Sequence, residues 1–80
     1  MFHIEHAHLN NLDAIYQSSL NQGYRAFCLS FDRCQIDDIS SLNKLQAISE
    51  LIVVGERKDD ERNRWKSIPA WTFRYYPFEE

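Results

Sequence analysis

Three histidines crowd the start of the chain: His3, His6 and His8 in Phe-His-Ile-Glu-His-Ala-His. Imidazole is a common zinc ligand and titrates near pH 6. On an extended strand His6 and His8 point one way and His3 the other. No Cys, Asp or Glu stands at a matching spacing to complete a four-ligand set. The histidines therefore read as surface groups, and no metal is expected. Cys28 and Cys34 form no Cys-x-x-Cys pair and have no evident base beside them, so neither reads as a nucleophile. They read as one strand thiol and one loop thiol, reduced in a cytoplasmic protein. Adjacent carboxylates occur at Asp37-Asp38 and Asp59-Asp60. Paired acids do glycosidic or metal chemistry when a cleft converges them, whereas at a helix start they are caps. There is no glycine-rich phosphate loop and no nucleophile elbow. The expectation is a non-enzyme without cofactor.

Charge narrows the partners. Residues 1–55 carry Arg25, Arg33 and Lys44 against Glu5, Asp13, Asp32, Asp37, Asp38 and Glu50, while the remaining residues balance. An acidic first part argues against nucleic acid or an anionic membrane and suits a basic protein. Solubility alone is the competing explanation. No run approaches the ~18 apolar residues of a membrane span, and Met1–His6 lacks the basic start of a signal peptide. Five aromatics stand between Trp71 and Phe78, alongside Arg74. Tyr, Trp and Arg dominate protein interfaces, but the rings could equally complete a small core.

These groups need positioning elements. Eighty residues make one domain, 1–80, with a small core and little room for a deep cleft. Phe2–His6 alternates as a strand does. Asn10 or Asn11 caps a helix that carries Asp13 in its first turn and Leu12, Ile15, Tyr16, Ser19 and Leu20 on one face, with Gly23 as its stop. Tyr24–Phe31 predicts a second strand. Apolar residues then fall at every third position, Ile36, Ile39, Leu42, Leu45, Ile48 and Leu51, which predicts a second helix from Asp37 or Asp38. That helix runs into a third strand at Leu51–Val54, apolar throughout and so covered on both faces or central. Glu56–Arg64 reads as a charged loop or exposed helical turn, pinned back by Trp65 and Ile68. A last strand runs from Trp71 to Tyr76, with Trp71, Phe73 and Tyr75 on its buried face. Leu9, Leu12, Ile15, Tyr24 and Ala26 lie 27 residues before Ile36, Ile39, Leu42, Leu51 and Val53. Two loose copies of one helix–strand unit predict an α/β layer. It has β-α-β-α-β order, a mostly parallel three-stranded sheet and an extra C-terminal strand.

Asn11-Leu12-Asp13-Ala14-Ile15-Tyr16 resembles the helix motif of the barstar family, small inhibitors of bacterial ribonucleases. Asn21-Gln22-Gly23 and the strand after it continue the likeness, which covers roughly residues 9–55. The resemblance implies that Asp13, Tyr16 and Gln17 enter a toxin's active site, with Asp13 standing in for a substrate phosphate. The family's strongest binder has an acid where this chain has Gln17. The 27-residue offset, with Ile48-Ser-Glu-Leu51-Ile-Val53, also resembles a leucine-rich repeat unit. Here Glu56 takes the expected Asn position, and the likeness is one of βα geometry.

The functional expectation is an immunity protein or antitoxin that blocks a basic, nuclease-type toxin. Its contact residues would be Asp13, Tyr16 and Gln17, joined by Asp37, Asp38, Trp71, Tyr75, Tyr76, Glu79 and Glu80. The alternative is a structural or regulatory subunit that forms a homodimer through its C-terminal edge strand.

Overall fold

The computed structural model describes residues 2–21, 27–45 and 48–78. The period-three row fixes its architecture, though not as an α-helix. A step of three residues turns an α-helix by about 300°, so such a row drifts off one face within a few turns. A 3₁₀ helix has three residues per turn and keeps the row aligned. The segment accordingly holds one short 3₁₀ helix, Ser40–Lys44, and leaves it in extended backbone at Leu45. Ile36, Ile39, Leu42, Leu45, Ile48 and Leu51 are all buried. The inward direction matches the expectation; the helix type does not.

The other elements are β1 Phe2–Glu5, β2 His8–Leu9, α1 Asp13–Asn21, β3 Phe27–Asp32, β4 Gln35–Ile36, β5 Ile48–Glu56, α2 Asp59–Lys66 and β6 Ala70–Phe78. The protein is mixed α/β. β1, β3, β5 and β6 form one sheet in that order, with every neighbouring pair parallel. The expected three strands plus an extra one are thus a single four-stranded sheet, with the last strand beside β5. β2 and β4 make a small parallel pair of their own.

Each long strand lies next to the one before it, so the chain coils, one strand to a coil. Phe2 stands opposite Leu29, Leu29 opposite Leu51 and Leu51 opposite Phe73. The 27-residue offset is visible in the first step and again where Leu9 meets Ile36; later coils are shorter. Gly23, Tyr24 and Ala26 fall outside the described residues.

The coils share one turn. His6 and Arg33 both take left-handed backbone, with φ of 52° and 53°, a conformation that is unusual away from glycine. The His6 N–H donates to the Asp32 carbonyl at 2.9 Å, and the Arg33 N–H to the Val54 carbonyl at 2.7 Å. One hydrogen bond thus recurs a coil further on. Cys34 completes this turn: its thiol lies 3.3 Å from the Ile4 carbonyl and 3.6 Å from that of Asp32. Cys28 and Cys34 are both free thiols.

Asn11 caps α1 by accepting the Asp13 N–H at 3.1 Å. The charged stretch after β5 forms a full helix, α2, with Asp59, Asp60 and Glu61 in its first turn and Arg64 and Lys66 in its last. That order complements the helix dipole. Trp65 and Ile68 do pin it to the core. The Trp65 ring lies 5.0 Å from that of Phe31, and its indole N–H donates to Glu61 Oε1 at 3.0 Å. Leu12, Ile15, Leu29, Phe31, Leu51 and Val53 join them in a single core. No helix among the described residues is long and apolar enough to cross a membrane.

Gly55 shows how closely the last strand is fitted. The Tyr75 hydroxyl donates to the Glu56 carbonyl at 2.6 Å, and this places the phenol where a Gly55 side chain would stand. Burial, then Glu61 and Glu56, raise the Tyr75 pKa above its ordinary value. Gly55→Ala should lower stability by roughly 1–3 kcal/mol through overpacking. In a Tyr75→Phe background, which removes the nearest atom, the penalty should shrink. Urea denaturation of the double-mutant cycle measures that coupling.

Candidate functional site: the open face of the sheet

Alternation along parallel strands sends one set of side chains into the core and the other outward. The outward set forms rows across the register. His3, Ser30, Ile52 and Arg74 make one row, and Glu5, Asp32, Val54 and Tyr76 the next; Cys28, Glu50 and Thr72 make a third. None of these residues is buried. Leu51–Val54, expected to be covered on both faces or central, lies in a central strand. The core holds Leu51 and Val53, whereas Ile52 and Val54 remain half-exposed on the open face. Parity explains the difference: a central strand is flanked along both edges, but a helix layer covers only one face.

This face is acidic with an apolar middle. Glu5, Asp32 and Glu50 stand against Arg74, whose Nε lies 3.4 Å from Glu50 Oε2. The hydrogen bond and the electrostatic attraction of Tyr76, then the charge of Glu50, hold the Arg74 pKa above its usual value. At the edge, Tyr76 is 49% exposed and Trp71 is 81% exposed. Trp71 was expected on the buried face. At the start of β6 it is Ala70 that stands opposite buried Ile48 and packs on the core, followed by Phe73 and Tyr75, and Trp71 is left out. Phe78 is half-buried, with the Arg33 guanidinium 5.3 Å from its ring centroid.

The other expected contact residues fall into a second group. The Ser41 hydroxyl donates to Asp13 Oδ1. The Lys44 ammonium sits 5.4 Å from the Tyr16 ring centroid, and Gln17 is exposed on α1. Asp37 pairs with His8 Nε2 at 3.5 Å. Asp38 Oδ1 accepts the Ser40 N–H at 2.8 Å, so it caps the 3₁₀ helix. α1 packs on that helix while β6 pairs with β5, so Asp13, Tyr16, Asp37 and Asp38 are not brought together with Trp71, Tyr75 and Tyr76. Tyr75 is half-buried with its hydroxyl engaged. Glu79 and Glu80 lie outside the described residues.

A cleft of about 240 Å³ opens at the C-terminal ends of β3 and β5, lined in part by Cys34, Gly55, Glu61, Arg64 and Trp65. Arg64, Glu61 and Cys34 within it are engaged. Arg64 donates to the Ile36 carbonyl and reaches Glu61 at 3.4 Å, and Cys34 is tied to backbone carbonyls. The described residues there place no nucleophile beside a base. Sequence reasoning missed Glu5, Asp32, Glu50, Ile52 and Val54. Their shared signal is the two-residue alternation within each strand, which the apolar run at Leu51–Val54 masks.

Hydrogen bonds from the Ser40 side chain and backbone hold the Asp38 carboxyl below its usual range. A carboxylate depressed by folding stabilises above its unfolded pKa, about 3.9, and that contribution fades as pH falls through the lower folded value. Stability measured by urea midpoint should therefore drop below about pH 4, and Asp38→Ala should flatten part of that slope.

Compared with protein-family models, curated proteins and solved structures, the chain matches none, and its function is read from its own residues.

Proposed function

We propose that the chain is a non-catalytic recognition module of the immunity-protein kind, which binds a basic protein through the open sheet face. The observation that carries this reading is the composition of that face. Ile52 and Val54 form a half-exposed apolar middle, with Tyr76 beside them on the edge strand and Glu5, Asp32 and Glu50 around them. An apolar centre with a charged rim is how protein interfaces are built, and acidic groups speed encounter with a basic partner. The winding, one strand beside the last with a shared turn, favours a leucine-rich-repeat-like coil over a barstar-like layer. Such coils present their strands side by side as one continuous binding surface. Under this reading a nuclease-type toxin would meet the sheet, in the cytoplasm, and Asp13 and Tyr16 would serve mainly to dock α1 on the 3₁₀ helix.

The test separates the two surfaces. Tagged chain expressed in its native host should retain a stoichiometric basic protein. Ile52→Asp and Tyr76→Ala should release it, each by about 2 kcal/mol or more if these are hot spots, while Asp13→Ala and Tyr16→Ala should not. Release by the α1 variants alone would move the interface to the helix side and restore the ribonuclease-inhibitor-like mode.

A second reading rests on Trp71. It is 81% exposed on an edge strand of nine residues, and unpaired edges are pairing sites unless blocked. Self-association through β6 would bury that ring. Sedimentation should then show a dimer that Trp71→Lys dissociates; a monomer at high concentration would dismiss it.

A further inference from the structure

Glu5 and Asp32 are register partners across β1 and β3, both on the open face. Like charges directly opposite on neighbouring strands repel and destabilise a sheet. The Asp32 environment sharpens that conflict. Its Oδ1 is buried and accepts no hydrogen bond, and Arg33 Nε at 3.9 Å is too far to supply one. A buried carboxylate oxygen without a partner costs desolvation energy.

The shared left-handed turn brings a third group to this place. His6 follows β1 directly, and its backbone N–H is fixed to the Asp32 carbonyl. Ligand atoms of Glu5, His6 and Asp32 all lie within 4.8 Å of one another. Of the other two histidines, His3 Nε2 lies 3.7 Å from Glu5 Oε1, at the edge of this group, and His8 Nε2 lies 3.5 Å from Asp37 Oδ1, away from it.

We propose that Glu5, His6 and Asp32 bind one divalent metal ion of the zinc class. A cation there would offset the cross-strand repulsion between the Glu5 and Asp32 carboxylates. The donor set selects the ion. Calcium and magnesium take oxygen ligands alone, whereas one imidazole with carboxylates suits zinc and its neighbours. Three protein ligands fall one short of the four that zinc holds in closed sites. Water or a donor from a bound molecule would fill the remaining position. Asp32 is a strand away from the histidine cluster, and the register of β1 on β3, a 27-residue step, brings it in. The site does not depend on the protein-partner reading.

Equilibrium dialysis of the metal-free chain against zinc at about pH 7.5, where imidazole is neutral, should find one bound ion. His6→Ala, Glu5→Gln and Asp32→Asn should each weaken binding by at least about tenfold, the loss expected even for an outer partner of a ligand. His8→Ala should leave it unchanged. Glu5 and His6 are exposed, so their variants carry the test should Asp32→Asn fail to fold. Cobalt in the same site should give ligand-field bands without a thiolate charge-transfer band. Absence of bound zinc, zinc that survives His6→Ala, or a thiolate band pointing to Cys28 or Cys34 would each overturn the assignment.

Discussion

The hydrogen bond that leaves each turn for the next coil is the constraint on which the rest depends. His6 gives its N–H to the end of β3, and Arg33 gives its N–H to the end of β5. Both residues accept left-handed backbone to do so, a cost of order 1 kcal/mol or more for a residue with a side chain. In return the strands stay parallel and in step, and the period-three row stays pointed inward. Cys34 reinforces the link from the side, since its thiol reaches carbonyls of both β1 and β3.

With the strands in step, packing follows. β5 is flanked by β3 and β6, and its Leu51 and Val53 meet Leu29, Phe31 and Trp65 in one core. Helices and 3₁₀ turn gather on that side. The opposite side therefore keeps its rows uncovered, and every outward residue of one strand stands beside an outward residue of the next. The charge and the exposed rings of the face come from this arrangement rather than from any single motif.

Much of this was legible in the residues. Burial of Ile36 through Leu51, the strand at the start, the cap at Asn11 and the anchoring by Trp65 and Ile68 all follow from pattern and capping chemistry. The helix type was open to the same reasoning, because a strict step of three suits a 3₁₀ turn better than an α-helix. α2 was harder. Its eight residues carry one buried side chain, Trp65, so hydrophobic periodicity had nothing to register, and the acid-to-base order of its charges was the remaining sign. Register was legible in the first step alone, where the 27-residue offset sets Glu5 opposite Asp32; the 22-residue steps that follow repeat no pattern the residues display.

The unequal coils bear on how the protein forms. Each long strand pairs only with the strands beside it, at separations of 27 and then 22 residues, as in Phe2 with Leu29 and Leu29 with Leu51. Closing a loop of either length costs nearly the same entropy, because the cost grows only with the logarithm of length. No pairing is thereby favoured by proximity, and side-chain burial decides the order. β3 and β5 supply Leu29, Phe31, Leu51 and Val53, all buried, so this pair is the natural nucleus. Coils then add to it outward in both directions, and the edge strands β1 and β6 are the first to fray.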